Sequence, residues 1–187
     1  MSSLSQGIHN AVCIGVIFTG KHQSINRPLP KVTILWEITE NEKIKTFSRD
    51  YTYSYYEKAE LRLHLESWRG RPFTATELSK FKLRNILGVP CKLEIAKNNK
   101  NYKQVENVYR FPAKEQAPKR KSELIYFDIS DKTTYSEIPN IPYYIVEKIK
   151  NSPEYKQSSL KLSPNNAYRT LISNVECLFL YPKGETP

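Results

Sequence analysis

The chain has 187 residues, enough for one packed domain with an appendage or for two very small domains. Its 29 Lys and Arg against 19 Asp and Glu leave a net charge of +10, and 13 tyrosines accompany that excess, a combination that favours a polyanionic partner, above all nucleic acid. No apolar run approaches the roughly 20 residues that cross a bilayer, and the polar segment 1–10 lacks the basic-then-apolar order of a signal peptide.

Cys13, Cys91 and Cys177 are widely spaced and form no C-x-x-C pair, and His9, His22 and His64 have no ligand-like spacing to them. Neither a structural metal nor a disulfide framework is expected; reduced thiols in a cytoplasmic compartment are the simplest expectation.

The first expected element is a strand over residues 11–18, interrupted by Gly15, where a bulge or sharp coil is expected. A polar loop follows over 20–31, carrying Lys21, Arg27 and Lys31. The second strand, 31–39, alternates Val32, Ile34, Trp36 and Ile38 on one face with Thr33, Leu35 and Glu37 on the other, which makes Trp36 a core residue. A tight connection at 41–43 leads to a third strand over 44–53 with Lys45, Phe47, Arg49, Tyr51 and Tyr53 on one face. That face either presents its rings for stacking or points inward.

Ser54 and Glu57 have capping-box spacing and predict a helix start, followed by an apolar stripe of Leu61, Leu65 and Trp68 and a glycine stop at Gly70. Thr74 and Glu77 repeat the spacing and predict a short second helical piece, with a last helical turn closing at Gly88. A fourth strand over 91–96, a basic turn at 97–101 and a fifth strand over 102–111 complete the order of a five-stranded OB-fold barrel with a helical insertion between strands three and four. The expected fold class is mainly β with α: that barrel over 1–111, a basic linker over 112–122, and a C-terminal α/β extension over 123–187 for self-association or partner binding. Within the extension a short strand is expected over 124–129, an amphipathic helix over 141–150 behind Pro142, and an apolar strand-like run over 175–181.

The runs Val32–Glu37, Tyr51–Ser54, Leu61–Thr74 ending Trp-Arg-Gly-Arg-Pro-Phe-Thr, and Leu87–Cys91 resemble bacteriophage-encoded proteins regarded as OB-fold single-stranded DNA-binding proteins. Phe127–Ile129 and Lys148–Lys156 are similar to that family's segment after the barrel, so the resemblance covers roughly residues 9–156. It implies stoichiometric coating of unpaired DNA during phage replication or recombination, without a cofactor. The turn Asn98-Asn99-Lys100-Asn101 departs from the family's glycine-richer one, and residues 157–187 have no counterpart.

OB-folds bind mainly across strands two and three and between the first–second and fourth–fifth loops. The candidate DNA-binding residues are therefore Lys21, Arg27 and Lys31; Lys45, Phe47, Arg49, Tyr51 and Tyr53; and Lys97, Lys100, Tyr102 and Lys103. Rings would stack on bases while cations neutralise phosphates. No nucleophile elbow, Walker loop or zinc-hydrolase motif occurs, so no catalysis is expected; Asp128 and Asp131 read as turn residues, with a metal-dependent nuclease as a distant rival. The nearer rival is a phage anti-defence or regulatory factor that grips a host protein.

Overall fold

The computed structural model describes residues 4–40 and 42–158. Strands β1 (Gly7–His22), β2 (Leu29–Glu40), β3 (Lys43–Thr52), β4 (Pro90–Lys97), β5 (Lys103–Arg110) and β6 (Ile125–Asp128) form one six-stranded sheet. Its path is β3-β2-β1-β4-β5 with every neighbouring pair antiparallel, while β6 joins β1 in parallel.

β1 organises the sheet because its partners change along its length. Residues Gly7–Val12 pair with β4, and Gly15–Phe18 pair with β6, while β2 runs beside it from Ala11 to His22. The register slips between Cys13 and Gly15, the bulge that the glycine predicts. A Cβ on Gly15 would lie 2.7 Å from Leu35 Cδ1, so the close approach of β2 requires glycine there.

The sheet does not close into the expected barrel. β3 and β5 end the strand path, and no ladder joins them among the described residues. Arg49 of β3 instead spans the gap, donating to the Val105 carbonyl of β5 and pairing with Glu60. The molecule is thus mainly β, an open sheet with helices.

Two cores lie on its two faces. On the first, Ile34 and Trp36 of β2 and Phe47 and Tyr51 of β3 pack against Leu65 and Trp68 of α1 (Glu60–Arg69). On the second, Ile14, Ile17 and Leu35 pack against Phe127 of β6 and Ile145 and Ile149 of α3 (Tyr143–Asn151). β2 is therefore buried on both sides: Thr33, Leu35 and Glu37, the face that alternation turns outward, are as inaccessible as Val32, Ile34 and Trp36. Residues beyond the 112–122 connection share a core with β1 and β2, and the connection is itself fastened, since Lys121 and Ser122 N–H groups both donate to the Glu37 carboxylate at 2.7 Å. α4 (Pro153–Gln157) packs near the end of β1, where Glu154 accepts from the Lys21 N–H at 3.0 Å.

The helical segment between β3 and β4 corrects one expectation. α1 begins at Glu60 with Ala59 as its N-cap, not at Ser54. The Ser54 hydroxyl accepts from the Tyr56 N–H at 3.2 Å, which makes a local turn rather than a helix cap. The stripe Leu61, Leu65, Trp68 is buried as expected, and Gly70 ends the helix at φ 77°. At α2 (Ala75–Lys80) the box does form: Glu77 N–H donates to the Thr74 hydroxyl at 3.2 Å, and the Thr74 N–H to the Glu77 carboxylate at 3.0 Å. A 3-10 turn at Leu83–Ile86 leads to Gly88 and β4. The expected strand over 175–181 and Cys177 lie outside the described residues.

Candidate nucleic-acid interface

The expected stacking face on β3 points inward. Phe47 is 4% exposed and Tyr51 1%, both inside the first core, so neither ring has a face for a base. The Tyr51 hydroxyl meets His64 Nδ1 of α1 at 2.8 Å, and burial pushes its ionisation well above the ordinary tyrosine range. Burial, reinforced by the Arg49 guanidinium, holds His64 below the usual imidazole value and so favours its neutral ring beside the Tyr51 hydroxyl. Lys45 is buried and paired with Glu40 at 2.8 Å. Arg49 is held by Val105 and Glu60. Of the five β3-face candidates, Tyr53 is the most exposed, at 36%, with Arg49 half-buried.

The opposite face of β2 and β3 is also closed. Tyr144 of α3 hydrogen-bonds Ser48 at 3.0 Å and Lys148 pairs with Asp50 at 2.5 Å, so the helix lies over the strands that an OB-type groove would use.

The two basic loops lie by opposite ends of β1. Lys21, Arg27 and Lys31 lie at the His22 end, whereas Gly7, its other end, pairs with Ile95 of β4, two residues before Lys97. Lys97 and Lys100 are exposed on a turn shaped by Asn98, whose side-chain oxygen accepts from the Lys100 and Tyr102 N–H groups at 2.9 and 3.0 Å. Tyr102 is 38% exposed, and the Lys103 ammonium donates to the Leu4 carbonyl.

Around Tyr53 the fold assembles a row of rings from distant segments of the chain. Tyr53 meets Phe18 of β1 at 4.9 Å between centroids and Tyr55 at 5.4 Å, both edge to face. Tyr55 meets Phe81 at 5.9 Å and Phe81 meets Phe73 at 5.0 Å, while Phe18 extends the row to Tyr126 of β6 at 6.2 Å. Phe18, Tyr55, Phe73, Phe81 and Tyr126 are all half-buried, so the row forms a partly open apolar surface.

Cations accompany it. The Arg84 guanidinium lies 4.7 Å from the centre of the Tyr126 ring, and Lys80 and Lys82, exposed, flank Phe81 in the chain. Lys31 joins the other side through its hydrogen bond to Thr52, 2.8 Å away and next to Tyr53. Arg69 covers Phe73 at 4.1 Å but is forked onto Glu77 at 2.8 and 3.1 Å, with Arg71 on the same carboxylate. These two arginines hold Glu77 far below the usual carboxylate range. They serve the helix junction rather than a ligand. The local signal for this site was the alternation Lys80-Phe81-Lys82-Leu83-Arg84; the partners Phe18 and Tyr126 come from distant segments.

The two aspartates after β6 are taken up by local turns. Asp128 accepts from the Ser130 N–H and hydroxyl at 2.9 and 2.7 Å, and Asp131 does the same for Thr133 at 3.0 and 2.8 Å, as turn and cap residues do. Among the described residues there is no cluster of metal-ligating side chains, and no helix is long and apolar enough to cross a membrane. Burial pushes both the Cys13 and Cys91 thiols up, away from reactive thiolate. No family model matches this chain, and no match to it was found among curated proteins or solved structures.

Proposed function

We propose that this chain is a single-stranded DNA-binding protein of the bacteriophage OB type, acting in the cytoplasm of a bacterial host by stoichiometric binding and not by catalysis. The OB part of this reading is supported by the strand path β3-β2-β1-β4-β5 and by the helices between β3 and β4. The observation that carries the reading is the half-open row Phe18–Tyr53–Tyr55–Phe81 beside Lys31, Lys80, Lys82 and Arg84. Unpaired bases expose faces for stacking and duplex bases do not, so the row selects single strands while the cations neutralise phosphates. Titration of labelled single- and double-stranded oligonucleotides at two salt concentrations tests it. Preference for the single strand, lost steeply with salt, is expected; equal affinity for duplex contradicts it.

One observation favours a second reading, a regulatory protein that grips a host protein: α3 closes the β2–β3 face on which OB-folds commonly take nucleic acid. Absence of any oligonucleotide binding at low salt decides for it.

A further inference from the structure

β1 and β2 stay paired up to His22 and Leu29, and residues 23–28 cross beyond the edge of the ladder. Within that loop Ile25 is 97% exposed, the highest value for a large apolar side chain among the described residues. A single exposed isoleucine is ordinary on a protein surface. Its setting is not. Lys21, Arg27 and Lys31 all lie within six positions of Ile25 and the first 36 residues contain no Asp or Glu; the Glu154 carboxylate meets the loop only at its base, on the Lys21 N–H.

The loop also springs from strands that meet the aromatic row, β1 through Phe18 and β2 through the Pro30 backbone. The Pro30 carbonyl, one residue past the start of β2, accepts from the Tyr53 N–H at 2.8 Å. Phe18, which packs on Tyr53, stands four residues before His22 on β1. An apolar tip between cations and a platform of rings therefore share one end of the sheet.

The two features suit different parts of a nucleic acid. Isoleucine is among the apolar side chains that DNA-bending proteins insert as wedges at base-pair steps, with cations on the flanking phosphates. A row of half-open rings takes bases that are already unstacked. We propose that the ligand is the boundary between paired and unpaired DNA, with Ile25 against the last base pair and the Tyr53 row receiving the single strand that leaves it. This rests on the single-strand reading above and narrows its substrate.

The test compares three labelled DNAs by fluorescence anisotropy: an oligonucleotide, a blunt duplex, and a duplex carrying that oligonucleotide as a 5′ or 3′ tail. The intact chain should bind one tailed duplex about tenfold more tightly than the free oligonucleotide, a difference of about 1.4 kcal/mol. Ile25→Ser, at an exposed position, should keep the melting temperature and the affinity for the free oligonucleotide but lose the tenfold preference. Equal affinity for tailed and free DNA, or a preference that survives Ile25→Ser, overturns the wedge and leaves single-strand binding standing. Failure to bind the free oligonucleotide overturns both.

Discussion

The Tyr51 hydroxyl of β3 lies 2.8 Å from His64 Nδ1 of α1, with the two rings edge to face at 5.5 Å. The contact ties the last part of β3 to the helix that follows and accounts for an aromatic residue facing the core rather than solvent. Tyr51→Ala should therefore destabilise the fold by about 3–5 kcal/mol, as large-to-small aromatic substitutions in cores do. Tyr51→Phe should cost only about 1–2 kcal/mol for the lost hydrogen bond. Denaturant unfolding measures both, and unchanged stability in the alanine variant would show the ring outside the core.

The same pair gives stability a pH dependence. His64 is depressed in the fold, chiefly by burial and then by Arg49, with Glu60 and Glu106 opposing, against an unfolded value of 6.5. The unfolded chain thus binds the proton more readily than the folded one. The histidine contribution is complete above pH 6.5 and is lost as pH falls from there through the folded value. A melting temperature that declines from neutral pH towards pH 5 is expected, and His64→Gln, which does not titrate, should flatten that part of the curve.

Trp68, one turn beyond His64, also anchors α1 to the sheet. Its indole N–H donates to the Pro90 carbonyl at 2.9 Å, and its ring lies 6.2 Å from Trp36. Trp68→Ala should cost about 3–5 kcal/mol through the cavity it leaves. It should not alter oligonucleotide affinity at temperatures where the protein remains folded. A stability effect confined to a few tenths of that would place the helix stripe away from the sheet.

How far the sequence announced this arrangement depended on whether each pattern was local. The stripe on α1, the Thr74 box, the Gly70 stop and the Gly15 bulge were all readable, because each is settled within a turn or a strand. The Ser54 box has the same spacing as the Thr74 box but caps no helix, since its hydroxyl is satisfied by Tyr56 two residues on. Alternation along β2 gave its inner face correctly and its other face wrongly: Leu35 and Glu37 are covered by α3, β6 and the 121–122 amides, over 80 residues away. Period-two patterning reports one buried face and is silent about a second layer. On β3 it could not choose between faces, because Lys45 and Arg49 share a side with Phe47 and Tyr51, and Glu40 and the Val105 carbonyl satisfy those cations. The aromatic row has no period of its own for a similar reason, its members being drawn from β1, β6 and three separate loops.

Glu37 measures how firmly the later segment belongs to the sheet. Replacing it by Gln sets an amide NH2 against one of two backbone N–H groups, which should cost about 1–3 kcal/mol. Deleting everything after Phe111 should do more, since it uncovers Ile14, Ile17 and Leu35 together. The truncated chain is expected to melt earlier and to aggregate. A truncated fragment as stable as the full chain would make the second core dispensable.

In the proposed complex, unpaired bases stack on the row centred at Tyr53. The affinity of Tyr53→Ala and Tyr53→Phe for a single-stranded oligonucleotide, set beside that of the unaltered chain, tests it most directly. Tyr53→Phe keeps the ring and should bind nearly as well, whereas Tyr53→Ala should lose about 1–3 kcal/mol with little change in melting temperature. Undiminished binding by a folded Tyr53→Ala protein would contradict the claim.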